Sequence, residues 1–193
     1  VSIGRDTVAN YDTERGVELA RLSLEATPMM LKYSPDARTV AAFYLRTDGW
    51  GVSIHEVGKT EPRVSHVFDN QVGTIEWDPR GRWLAVTDHR GAVHLMDPVT
   101  GALRLLGRHR AEAVSAQFDP RGDYLFTGGW ERSILCWDLR SMQRAFSIEL
   151  DSWTPRLKAD GSALAVVQDS ELDLFQIERS EVAREVPLPT SFR

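Results

Sequence analysis

Five histidines (His55, His66, His89, His94 and His109) and one cysteine, Cys136, are the residues of this chain best suited to hold a metal or relay a proton. A zinc site needs such groups at fixed spacing, and the sequence has no His-x-x-x-His pair and no second cysteine. Asp169, Glu171 and Asp173 alternate as calcium ligands can, but alternate residues of a strand share one face, so a solvated acidic face is the simpler reading. There is no Gly-x-Ser-x-Gly elbow, no Gly-x-Gly-x-x-Gly and no phosphate-binding loop, so acyl transfer and nucleotide binding lack their usual local geometry. No catalytic residue, metal or cofactor is expected. The chain instead offers groups suited to recognition: Trp50, Trp130 and Trp153, joined by His89, Arg90, Arg110, Glu131 and Gln168. Trp and Arg anchor interfaces because they bury much area and keep a polar handle. The competing expectation is that each Trp packs against its own element.

The elements that must position these residues are short strands. From Val114 to Asp138, three runs of alternating apolar residues are separated by Asp-Pro-Arg-Gly and Gly-Gly-Trp-Glu-Arg, which predicts strand, turn, strand, turn, strand and leaves no room for a helix. The first of these turns recurs as YSPDA at Tyr33–Ala37, WDPRG at Trp77–Gly81, FDPRG at Phe118–Gly122 and LKADG at Leu157–Gly161. A second marker, a large residue before a polar one, recurs at Tyr11-Asp12, His55-Glu56, Met96-Asp97, Trp137-Asp138 and Phe175-Gln176. Both repeat at about 40 residues, and strands repeating at that period indicate propeller blades.

These units resemble WD repeats, whose blades end their third strand in Trp-Asp; Cys136-Trp137-Asp138-Leu139 matches that signature and the other units match it loosely. The family's Gly-His element has one poor counterpart in Gly107-Arg108-His109, and its turn aspartate appears only as Glu131, with Arg90 in its place one unit earlier. The hydrogen-bond set that braces such blades is therefore expected to be absent, leaving rigidity to packing. The fold class implied is all-β: a β-propeller of four-stranded antiparallel blades, four repeats plus a partial one. A single domain over residues 1–193 divides into units of 1–26 (partial, lacking its first strand), 27–71, 72–112, 113–153 and 154–189. Stacking predicts three core columns: Tyr33, Trp77, Phe118 and Leu157; Val40, Leu84, Leu125 and Leu164; Tyr11, His55, Met96, Trp137 and Phe175. The extra length of the second unit is assigned to a loop insertion at Thr47–Gly51.

A seven-bladed propeller at this period needs about 290 residues. The chain, starting without Met and in mid-blade, is therefore expected to be a piece of a longer propeller, with a small propeller of about five blades or an open array completed by a second copy as alternatives. Open blade edges would favour self-association.

Composition fits a soluble globular protein, with 42% hydrophobic and 26% charged residues. A net charge of −5 argues against a broad nucleic-acid footprint, and no uncharged run is long enough to span a bilayer, so neither nucleic acid nor membrane is an expected partner. The lone Cys136 favours a reducing, cytoplasmic setting and a buried thiol. The expected function is a non-catalytic scaffold that presents its loop-rich end to a protein or peptide partner. The resemblance to bacterial WD arrays also implies a sensor or regulatory domain of a multidomain signalling protein such as a Ser/Thr kinase. A propeller enzyme with a site near the central channel is the third reading, and it would require His, Asp or Glu side chains converging on one point.

Overall fold

The computed structural model describes residues 2–3, 7–12, 14–24, 26–59, 61–150, 155–168 and 171–177. The turns come first, because they set the strands. In four successive units the last residue of the repeated turn motif is left-handed: Ala37 (φ 56), Gly81 (φ 70), Gly122 (φ 65) and Gly161 (φ 71). Its N–H donates to the carbonyl three residues back, at Ser34, Asp78, Asp119 and Lys158, over 2.7 to 2.9 Å. Aspartate suits that earlier position because its carboxylate can gather backbone N–H groups that the turn leaves unpaired. Asp119 accepts from the amides of Arg121, Asp123 and Tyr124, and Asp78 from those of Arg80 and Arg82.

Between the turns the described residues form eighteen strands in five antiparallel meanders. The first sheet is β1 (Ser2–Ile3), β2 (Thr7–Asp12) and β3 (Val17–Ser23). The second is β4 (Pro28–Tyr33), β5 (Thr39–Arg46), β6 (Gly49–Glu56) and β7 (Pro62–Phe68). The third is β8 (Val72–Trp77), β9 (Leu84–Asp88), β10 (Ala92–Met96) and β11 (Leu103–Arg108). The fourth is β12 (Ala113–Phe118), β13 (Tyr124–Gly129), β14 (Ser133–Asp138) and β15 (Gln143–Glu149). The fifth is β16 (Arg156–Leu157), β17 (Ala163–Gln168) and β18 (Glu171–Gln176), and the strand expected near 183–187 lies outside the described residues. β1 was not foreseen; two residues are too short for a periodic signal.

The predicted columns sit opposite one another in register. Tyr33 faces Val40, Trp77 faces Leu84, Phe118 faces Leu125 and Leu157 faces Leu164; across the next pair, Val40 meets His55, Leu84 meets Met96, Leu125 meets Trp137 and Leu164 meets Phe175. The middle column is fully interior, and burying each such aliphatic side chain stabilises by about 1.5–3 kcal/mol. Tyr11 departs from the expectation: it is exposed, with its hydroxyl on Glu18. The assigned insertion is also corrected. Arg46 pairs with Gly49 across a two-residue turn at Thr47-Asp48, so the added length extends β5 and β6 and places Trp50 on a strand.

Four apolar clusters join the sheets in sequence, first to second, second to third, third to fourth and fourth to fifth. Among the described residues no such cluster joins the first sheet to the fifth, so the array is an incomplete propeller. Polar contacts reinforce the seams: Trp77 Nε1 donates to the Lys32 carbonyl at 2.9 Å, and the guanidinium of Arg63 donates twice to the Pro98 carbonyl.

Candidate interaction surface at the loop end

The turn at residues 89–91, which joins β9 to β10, is fixed from beneath. Asp88, 3% exposed, accepts the amides of Arg90 and Ala92 on Oδ1, and Gly91 is left-handed (φ 80). A Cβ at Gly91 would fall 2.5 Å from the Ala111 carbonyl oxygen and 2.6 Å from that of His109, so glycine is what allows the 109–112 connection to lie against this turn. The His109 amide closes that contact on the Gly91 carbonyl at 2.8 Å. In the same manner Trp130 N–H reaches the Glu112 carbonyl at 2.9 Å, tying the β13–β14 turn to the connection between the third and fourth units.

Beneath these turns lies a side-chain network that contradicts the expectation of packing alone. His109 Nε2 is 2.7 Å from Thr127 Oγ1, and His109 Nδ1 is 2.5 Å from Glu131 Oε1. Trp137 Nε1 donates to Thr127 Oγ1 at 2.8 Å, and Ser133 donates its hydroxyl to Glu131 Oε1 at the same distance. Glu131 does the work of the family's turn aspartate: the longer side chain still reaches the imidazole. Ser133 was missed by sequence reading, and so was Thr127. Its only signal was a hydroxyl in the middle of an otherwise apolar buried strand, where an unpaired polar group would be costly.

Burial pushes His109 below the ordinary histidine range, with Glu131 only partly countering it. Burial also pushes Glu131 upward, but hydrogen bonds from Ser133, its own backbone and His109 outweigh this and hold its carboxyl low. One proton arrangement satisfies Trp137, Thr127 and both ring nitrogens of His109: Trp137 donates to Thr127, the Thr127 hydroxyl donates to a neutral His109 at Nε2, and His109 Nδ1–H donates to Oε1 of ionised Glu131, whose buried Oε2 accepts no hydrogen bond. A second proton on His109 would aim two donors at Thr127 and leave its hydroxyl hydrogen without an acceptor.

This base carries an exposed face. The Trp130 side chain is 57% exposed, its ring centroid 6.3 Å from that of His89, whose Nδ1 is 3.2 Å from Glu112 Oε2. Arg90 and Arg110 are exposed beside them, and the Arg110 amide lies 3.4 Å from Glu131 Oε1. Five of the eight predicted residues are thus brought together: His89, Arg90, Arg110, Trp130 and Glu131. Trp50 is not among them. It sits half-buried in the second unit with its ring 6.1 Å from Phe43 and serves the core. Trp153 and the side chain of Gln168 lie outside the described residues, as does Asp169.

At the opposite end, the turns of the second and third units border a groove of about 980 Å³ over Trp77, with Asp36, Arg38, Glu56 and Arg80 on its rim. Its charges are mixed. Among the described residues no group of three or more His, Cys, Asp or Glu side chains is placed to hold a metal ion. No helix of the described residues is long and apolar enough to cross a membrane.

Comparison with known proteins agrees with this geometry. The family model described as "WD domain, G-beta repeat" matches residues 102–138, the span that runs from β11 through Trp137-Asp138 and contains the whole network. The chain is 37% identical over 51 residues to mitotic checkpoint protein bub3 of Dictyostelium discoideum, covering 26% of this chain and 15% of that protein. It is 27% identical over 109 residues to COMPASS component SWD3 of Saccharomyces cerevisiae, covering 55% of this chain and 33% of that protein. Among solved structures, the β-propeller domain of Myceliophteria_thermophila Cps50 (Swd1) superposes with a TM-score of 0.75 at 18% identity, over 95% of this chain and 64% of that one. Kuenenia stuttgartiensis hydrazine synthase does so with a TM-score of 0.71 at 14% identity, over 89% and 65%. At such identities the structural likeness establishes the fold alone. The chain spans less than two thirds of the length of each of these proteins.

Proposed function

We propose that this array of WD-repeat propeller blades is a non-catalytic scaffold for protein–protein interaction, engaging its partner through the loop end of the third and fourth units. The observation that carries the reading is the pairing of an exposed Trp130 and two exposed arginines with a base held by the His109–Thr127–Trp137 network. Recognition benefits from rigidity, because side chains already fixed by their support lose less freedom on binding. Large aromatic and guanidinium groups on a rigid rim are the usual composition of an interaction hot spot. The relatives named for a component of COMPASS and for a mitotic checkpoint are consistent with a role in assemblies. The propeller fold itself assigns no chemistry, since it also superposes on a hydrazine synthase.

The test is to replace Trp130 and Arg110 together with Ala and compare the proteins retained from a lysate of the source organism by parent and variant arrays. Loss of specific proteins, with a melting temperature within about 2 °C of the parent, supports the reading, since exposed side chains off any network contribute little to stability. Unchanged retention moves the interface away from this end.

A further inference from the structure

The loop end of the third and fourth units is basic in a chain whose net charge is −5. Arg90, Arg108, Arg110 and Arg132 are all exposed there, at the same end as Trp130. Backbone contacts make them neighbours. Arg108 Nη1 lies 3.5 Å from the Arg90 carbonyl, the Arg110 amide reaches Glu131, and Arg132 follows directly in the same turn as Trp130 and Glu131. The carboxylates of this patch face histidines: Glu112 Oε2 lies 3.2 Å from His89 Nδ1, and Glu131 Oε1 is bonded to His109 and Ser133, while Oε2 of each is buried without a hydrogen bond. Among the described residues no carboxylate stands within ion-pair distance of the Arg90, Arg108 or Arg110 side chains.

Resting on the scaffold reading above, we infer that this patch binds an acidic peptide segment carrying one apolar side chain, which covers Trp130 while its carboxylates meet Arg90, Arg108 and Arg110. Guanidinium groups pair with carboxylates in a planar, two-pronged manner, and a half-exposed indole offers the apolar surface that such a segment would cover. A nucleic acid fits less well. A continuous phosphate chain needs a long basic track, and these arginines are confined to the 89–91 and 130–132 turns and the 108–110 segment.

A random linear peptide library displayed on phage is selected on the 193-residue chain, with counter-selection on a variant carrying Trp130→Ala and Arg110→Glu. The expected result is enrichment of peptides with at least about threefold more Asp and Glu than the starting library, as charge complementarity between patch and partner requires. For the best synthetic peptide, Kd on the unmodified chain should rise about tenfold between low and roughly 0.3 M salt, while its Glu→Gln, Asp→Asn version shows little salt response. This salt arm needs no variant to fold. Enrichment of neutral or basic peptides that still require Trp130 overturns the acidic class and leaves the scaffold surface standing. Absence of any peptide distinguishing parent from variant overturns both. Tighter binding of a dodecamer of thymidylate than of the best acidic peptide overturns the inference in favour of nucleic acid.

Discussion

His109, in the connection between the third and fourth units, and Thr127, eighteen residues on in β13, meet at 2.7 Å between Nε2 and Oγ1, and through that contact the connection is locked to the second strand of the fourth unit. Thr127 is the shared member, because Trp137 donates to the same oxygen.

Thr127→Val keeps the shape and removes the hydroxyl, leaving two buried groups, His109 Nε2 and Trp137 Nε1–H, without partners. The expected cost is about 2–6 kcal/mol, since each of the two buried groups left unsatisfied costs about 1–3 kcal/mol. Thr127→Ser keeps the hydroxyl and should lose less than about half of that, the remainder being one buried methyl. Equilibrium urea unfolding of the two variants, read as a difference in midpoint, checks this.

The same network sets a pH dependence. His109 is held low in the folded state, so its contribution is present above the unfolded histidine value near 6.5 and is lost as pH falls toward its folded value. Glu131 is also held low, so its contribution is lost at still more acid pH, below the ordinary glutamate range. Stability should therefore decline in two stages as pH falls from 7.5 to 3.5. Unfolding midpoints measured across that range for the parent and for His109→Gln should show the first stage flattened in the variant.

Gly81 and Gly122 share a turn position and a left-handed φ, but only one is crowded. A Cβ at Gly81 meets nothing within 4 Å, whereas at Gly122 it would collide with Asp78 Oδ1 and stand 2.9 Å from Arg82 Nη2. Gly81→Ala should cost only the conformational penalty, about 1–2 kcal/mol. Gly122→Ala should cost about 1–3 kcal/mol more, because it displaces a fully buried aspartate and its hydrogen bonds. Unfolding midpoints of the pair provide an internally controlled comparison.

Cys136 is 1% exposed, and burial pushes its thiol well above the ordinary cysteine range. Alkylation by iodoacetamide at pH 8 should therefore be at least about a hundredfold slower in the folded protein than in urea, since only an accessible thiolate reacts. Mass spectrometry of timed samples measures it, and the native rate reports opening of the fourth unit.

The sequence carried the blades because each blade repeats the same local instructions: a left-handed residue closing a turn, then apolar alternation into a column. At Tyr11 the column residue is present but exposed, since residue type alone does not report what lies alongside it. The brace was misread for a different reason. Gly107-Arg108-His109 and Glu131 each depart from the family pattern, yet the longer Glu131 side chain and the Thr127 hydroxyl restore the connections in space. Spacing along the chain does not show such compensation. Trp50 was assigned to a loop because extra length was equated with irregular structure, when a two-residue turn let both strands lengthen together.

The seams between sheets are not alike. Trp77 and Arg63 fasten the second unit to the third through carbonyls of Lys32 and Pro98; Arg82 spans from Asp78 to the Gly122 carbonyl at the next seam; Gln117 Oε1 accepts the Leu157 amide at the one after. Each of these three junctions thus has its own polar lock and key, and the blades, though copies in outline, are not interchangeable parts. A duplication or shuffling event would place a key against the wrong lock, so the order of units along the chain is itself under structural constraint.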